Sequence, residues 1–202
     1  MKSCNTFPCN GKIDRTCRER LNCHSAKVFW LTGLPSSGKS TLAHLAEETL
    51  HLHGIHTYVF DGDNVRHGLC GDLGFSPVDR SENIRRIAEV VRLFLDAGVV
   101  CLCAFVSPLE ANRQKVREVV GSKDYSEIFI KCPVTVCETR DVKGLYAKAR
   151  KGLIEDYTGI SAPYEEPKAP DLTIDTTQSA LSESVRTLTS FILNTIAYQK
   201  TR

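Results

Sequence analysis

Apolar residues along this chain recur in two alternating rhythms. Lys27-Val28-Phe29-Trp30-Leu31-Thr32 is a short apolar run ended by glycine, the mark of a buried strand, and Leu42, Leu45, Ala46 and Leu50 then fall at helical spacing. Gly54 stops that helix, and residues 55–60 supply a second strand. A long helix is expected from about Pro77 to Asp96, with Ser76 as its cap, Pro77 at the first helical position and Asp79 in the first turn; Ile84, Ile87, Ala88, Val91 and Leu95 form its inward stripe. Val99 to Val106 reads as a third strand, a helix capped at Ser107-Pro108-Leu109-Glu110 follows, and residues 127–130 make a fourth strand. Asp171 to Asp175 is a short fifth strand, and Leu181, Val185, Leu188, Ile192 and Ile196 mark the inner face of a closing helix. Strand, helix, strand is the unit of a parallel sheet, so the predicted class is α/β: a five-stranded, predominantly parallel sheet with flanking helices. A polar N-terminal arm, 1–26, precedes a single domain, 27–202, which suits the chain's 202 residues.

Charge narrows the function classes. Lysine and arginine number 26 against 24 aspartate and glutamate, a net +2, with no long basic run to track a nucleic-acid backbone. No apolar stretch approaches the roughly 18 residues that cross a bilayer, and the first twenty residues lack the apolar core of a secretory signal, so neither nucleic acid nor membrane is an expected partner. The nine cysteines are an odd number in a chain able to fill its core without staples, which reads as a reducing, cytoplasmic setting. Cys101 and Cys103 point the same way from one strand. Cys4, Cys9, Cys17, Cys23 and His24 lack the paired spacing of a structural zinc site.

Gly33-Leu34-Pro35-Ser36-Ser37-Gly38-Lys39-Ser40 fits G-x-x-x-x-G-K-[ST] between a predicted strand and a predicted helix, which is the structural context this motif requires. The glycines permit a tight backbone path, consecutive amides face phosphate oxygens at a helix N-terminus, Lys39 reaches the β and γ phosphates of ATP, and Ser40 can ligate Mg2+. Asp61-Gly62-Asp63-Asn64 ends the second strand at the carboxyl edge, where ligands gather. A carboxylate there can hold Mg2+ and orient or deprotonate an acceptor hydroxyl; the ordinary alternative is an Asp-Gly turn capping a short helix. Arg80 lies on the apolar sector of its helix and is expected to aim at the sheet, where an internal carboxylate or a bound phosphate or sulfate would answer its charge; Asn83 flanks it. Residues 140–170 carry Lys143, Lys148, Arg150, Lys151 and Lys168 among glycines and prolines, and read as a basic lid over phosphates or as a solvated excursion.

Together these motifs resemble the adenylyl-sulfate kinase family. The resemblance runs over residues 27–196 and rests on Gly33 to Thr41, Asp61-Gly62-Asp63-Asn64-Val65-Arg66, Asp72 to Ser76, Asp79-Arg80-Ser81-Glu82-Asn83, Phe105-Val106-Ser107-Pro108, Cys137 to Tyr146, and Tyr157-Thr158-Gly159-Ile160. It implies a P-loop kinase fold with a basic lid, often a homodimer, that transfers the γ-phosphoryl of magnesium-ATP to the 3′-hydroxyl of adenosine 5′-phosphosulfate. By that likeness Lys39, Asp61 and Asp63 are catalytic, Gly33 through Thr41 and Arg140 bind ATP, and Ser40 and Asp61 hold the metal. Arg66, Arg80 and Asn83 are implied contacts to the phosphosulfate, with Val106, Ser107, Lys143, Gly144 and Leu145 on the same substrate side. Phe75 and Tyr157 are implied as walls around the acceptor adenine. Ser107 combines a substrate-side role with the helix cap.

Two departures stand out: relatives often have lysine after the position of Ile154 and phenylalanine before that of Thr158, where this chain has Glu155 and Tyr157. The first reverses charge near an anionic ligand; the second still stacks. His44 stands where plant relatives place one partner of a redox cysteine pair. A kinase for another small hydroxyl substrate and a silent nucleotide-binding protein are the competing readings, because a phosphate loop alone identifies no acceptor.

Overall fold

The protein was analysed as a computed structural model that describes Phe7 and residues 11–197. Its sheet has five strands, all parallel: β1 (Val28–Thr32), β2 (Thr57–Asp61), β3 (Val100–Ala104), β4 (Tyr125–Lys131) and β5 (Leu172–Asp175), in spatial order β2-β3-β1-β4-β5. The helices are α1 (Arg15–Asn22), α2 (Lys39–Leu52), α3 (Gly62–Arg66), α4 (Pro77–Asp96), α5 (Glu110–Val120), α6 (Val134–Arg140), α7 (Leu145–Arg150) and α8 (Leu181–Ile196).

Strand alternation divides the core into two layers. Phe29, Leu31, Val100, Leu102 and Ala104 face α2 and α8, where they meet Leu42, Ala46, Leu50, Leu188 and Ile192. Val28, Trp30, Cys101 and Cys103 face the other way, onto Ile84, Ile87, Val91 and Val116 of α4 and α5. The two cysteines therefore share one face, as strand periodicity requires. Each fully buried aliphatic side chain contributes about 1.5–3 kcal/mol, and both faces are apolar because a parallel sheet is covered on both sides. The long helix α4 has the predicted bounds, and the Ser76 hydroxyl accepts from Asp79 N–H at 3.2 Å.

The arm holds a helix that the sequence pattern does not single out, and one helix start is corrected. The N-terminal arm contains α1, held by tertiary partners rather than by a buried stripe: Asp14 caps it, Arg15 Nη2 donates to Asp124 at 2.9 Å, and Arg18 Nη1 donates to the Asp96 carbonyl at 2.8 Å. The helix after β3 begins at Glu110, not at Ser107. Ser107 turns through φ +36°, and its hydroxyl is engaged by Trp30 and Thr32; the first-turn amide of Glu110 is instead accepted by the Glu165 carboxylate at 2.7 Å.

Candidate active site

The loop from β1 to α2 wraps tightly enough to exclude side chains at its glycines. A Cβ on Gly33 would sit 2.5 Å from the Ile130 carbonyl oxygen, and Gly38 adopts φ +104° at the cap of α2. Leu34, Pro35 and Ser36 form the turn, Ser37 is buried, and Thr41 lies on the exposed side of the first turn of α2. Lys39 is buried, with Nζ 3.0 Å from the Gly33 carbonyl and 2.7 Å from that of Leu34. Burial pulls its ammonium down to about 8, against the opposing pull of the Cys137 thiol and the Asp61 and Asp63 carboxylates.

Ser40 Oγ donates to Asp61 Oδ2 at 2.5 Å, so the phosphate loop touches the end of β2. Asp61 is buried and also accepts the Asp63 N–H at 2.9 Å, capping α3; the turn-and-cap reading and the site reading thus describe one residue. Asp63 itself is exposed and is bound by Lys143. Gly144, at φ +66°, caps α7, and Leu145 begins it.

The segment from 140 to 170 lies against the phosphate loop. Tyr146 Oη donates to the Pro35 carbonyl at 3.0 Å, and Leu34, Tyr157 and Ile160 pack with Tyr146 and Cys137. Its charges do not all gather at the loop: Lys143 reaches Asp63, whereas Arg150 pairs with Glu138 and Lys168 with Glu110.

Arg80 corrects the sequence reading. A helical side chain leans toward its own N-terminus, so Arg80 reaches back along α4 instead of down to the sheet. Nε donates to the Phe75 carbonyl at 2.8 Å, Nη2 to the Asp156 carbonyl at 2.8 Å and Nη1 to Thr158 Oγ1 at 3.3 Å. It thereby ties the Phe75 and Tyr157 segments together with no carboxylate partner among the described residues, and burial lowers its pKa, followed by the effect of Arg66. Arg66 lies 4.4 Å from the exposed Phe75 ring and donates to the Gly74 carbonyl. Tyr157 stands edge-on to Tyr146, 5.0 Å between centroids, and Glu155 is exposed. Asn83 is buried, and its Oδ1 has no partner among the described residues.

Val106 offers its carbonyl to the Thr32 hydroxyl at 2.8 Å, and Ser107 Oγ is 3.0 Å from both Trp30 Nε1 and Thr32 Oγ1. Arg140 is anchored on Thr176, which sequence reasoning missed. The signal available was position: Thr176 immediately follows the fifth predicted strand, at the carboxyl edge. Among the described residues no three His, Cys, Asp or Glu side chains gather as a metal cage; Cys4 and Cys9 lie outside the described residues.

Residues 25–175 match the family model described as adenylylsulphate kinase. The chain is 52% identical over 182 residues to the adenylyl-sulfate kinase of Thermodesulfovibrio yellowstonii, covering 90% of this chain and 91% of that one. It is 54% identical over 181 residues to that of Prochlorococcus marinus, 90% of each chain. Among solved structures it is similar to the APS kinase of Mycobacterium tuberculosis in complex with AMPPNP and APS, with 45% identity, a TM-score of 0.80, and coverage of 83% of this chain and 98% of that one.

Proposed function

The chain belongs to the adenylyl-sulfate kinase family, and from that premise we infer that it transfers the γ-phosphoryl of ATP to the 3′-hydroxyl of adenosine 5′-phosphosulfate, releasing ADP and 3′-phosphoadenosine 5′-phosphosulfate. The observation that carries this reading is the contact between Ser40 of the phosphate loop and Asp61 of β2, in a chain half-identical to enzymes of that name. That contact supports the reading because it brings the phosphate loop and a buried carboxylate together at one sheet edge.

Amides of Gly33 through Thr41 cradle the phosphates, and Lys39 exchanges loop carbonyls for phosphate oxygens. Arg140, held beside the loop, covers the ATP base. Asp61 orients the acceptor hydroxyl and receives its proton, with Asp63 and Lys143 beside it. Arg66, Arg80 and Asn83 meet the phosphosulfate, whose oxygens only accept, through the two guanidinium groups and the amide N–H of Asn83. Phe75 and Tyr157 flank the acceptor base, with Val106, Ser107, Gly144 and Leu145 completing that side. Because Arg80 bonds both aromatic segments, it fixes their separation.

Ser40 and Asp61 suit Mg2+: a hydroxyl and a carboxylate oxygen 2.5 Å apart are hard donors of the kind that ion takes together with phosphate and water. When bound, the ion neutralises charge on the β and γ phosphates.

We also propose a homodimer working in the cytoplasm, within sulfate assimilation. The dimer rests on family likeness, and light scattering across a dilution series tests it. The cytoplasmic setting rests on the described cysteines, all seven of them free. The reaction is tested by identifying products from adenosine 5′-phosphosulfate, AMP and other nucleosides in parallel. Phosphorylation of adenosine 5′-phosphosulfate far above the rest is expected; preference for another acceptor overturns the assignment.

A further inference from the structure

On the face of the sheet covered by α5, that helix, β4 and residues 167–169 line a cleft of about 270 Å³. Arg113 pairs there with Glu127 and Lys168 with Glu110, which leaves Arg117 as the lining cation with no carboxylate partner among the described residues. Arg113 is only 3% exposed; its Nε donates to Glu127 at 2.7 Å and Nη1 to the Ser107 carbonyl at 2.9 Å, while Nη2 is buried without a partner among the described residues. Tyr125, 4% exposed, likewise has a buried hydroxyl without a partner among the described residues, and the Arg117 guanidinium lies 4.7 Å over its ring.

Leaving such groups unpaired costs about 1–3 kcal/mol each, and more where the donor is charged. Two donors and the unpaired Arg117 guanidinium in one cleft ask for a guest rich in acceptors and negatively charged. An ordered water could pair with the donors but leaves the charge unanswered. We propose that this cleft binds the sulfate or phosphate group of a small molecule, with Arg113 Nη2 and Tyr125 Oη as buried donors and Arg117 and Lys168 as the cations at its mouth. The site is distinct from the phosphate loop, and its occupancy does not depend on which reaction the protein performs. Through Arg113 it also bears on Ser107, whose φ of +36° is held by that guanidinium at the carbonyl and by Trp30 and Thr32 at the hydroxyl.

The test follows the Arg113 and Arg117 Nε–Hε signals by NMR while inorganic sulfate or inorganic phosphate is titrated against sodium chloride at equal ionic strength. Both signals are expected to shift and saturate, in the unmodified protein and equally in Lys39→Ala, where the phosphate loop is weakened as an anion site. Arg117→Gln, half-buried on α5, and Lys168→Gln, on the exposed rim, should each weaken binding about tenfold, as expected when one charge-assisted hydrogen bond is lost. Saturation by either anion carries the proposal, and the tighter one names the headgroup. Signals that only drift as they do with chloride, a response abolished by Lys39→Ala, or one unchanged in both cleft variants would overturn it and leave ordered water as the guest.

Discussion

Arg140 grips Thr176 with both ends of its guanidinium: Nη2 lies 2.8 Å from the Thr176 carbonyl and Nη1 2.9 Å from its hydroxyl. The same hydroxyl donates to the Ser37 carbonyl at 3.1 Å, so one threonine joins the proposed adenine cover to the phosphate loop. Thr176→Val keeps the carbonyl contact and the side-chain shape but removes both hydroxyl bonds. Steady-state kinetics should show KM for ATP raised about five- to tenfold, roughly 1–1.4 kcal/mol, with kcat nearly unchanged. An equal fall in kcat would place Thr176 in the chemistry instead.

Lys39 makes a second prediction, in pH. Its ammonium is held down to about 8 by burial, and phosphates brought against it favour the charged form. Nucleotide binding at pH 9 should therefore take up close to one proton per site, and at pH 7 close to none from this group. Calorimetry in buffers of different ionisation enthalpy measures that number. Lys39→Arg, charged throughout, should lose the difference between the two pH values.

The residues of this site were unequally legible in the sequence. Gly33 through Ser40 are contiguous, so motif and flanking periodicity sufficed, and α4 was bounded correctly because Ser76 and Pro77 are local signals. Helices α1, α6 and α7 were not separately visible. They have six to eight residues each, too short to persist on propensity, and contacts such as Arg15 with Asp124 or Tyr146 with Pro35 fix them from far along the chain. Arg80 was read from its helical face, but a long side chain on a first turn is aimed by whatever lies beyond the helix end, here Asp156 and Thr158. Ser107 carried a capping pattern, yet Trp30 and Thr32, more than seventy positions earlier, claim its hydroxyl.

His24 gives a stability prediction. It is buried; Nε2 accepts the His56 N–H at 3.1 Å and Nδ1 faces the Ser25 carbonyl at 3.2 Å, an arrangement suited to the neutral ring protonated at Nδ1. Burial is the main reason that its folded pKa lies below the ordinary 6.5. The unfolded chain then takes up the proton first, so the contribution of His24 is present above pH 6.5 and is lost as pH falls from there through the folded value. Denaturation midpoints measured from pH 7.5 to 5 should decline in the unmodified protein and decline less in His24→Gln. Equal slopes would show that His24 is not a source of the loss.

Asp61 separates chemistry from architecture, because one carboxylate serves both. Oδ2 accepts from Ser40 and Oδ1 accepts from the Asp63 amide at the start of α3. Asp61→Asn preserves size and one carbonyl oxygen for the cap, so its stability cost stays within the range of about 0.5–2 kcal/mol for a weakened N-cap. Removing the charge withdraws the acceptor for the hydroxyl proton and weakens the hold on Mg2+, so phosphoryl transfer should fall at least about a hundredfold, or about 2.7 kcal/mol in activation free energy. Both nucleotides should still bind, with magnesium-dependent ATP affinity reduced. Asp63→Asn is the matched control: Asp63 is exposed and paired with Lys143, so its charge is screened and its loss should cost far less. Single-turnover rates and separate affinities at saturating magnesium, with circular dichroism on each variant, decide the matter. Full transfer in Asp61→Asn together with collapse in Asp63→Asn would move the proton to Asp63 and leave Asp61 as the cap of α3.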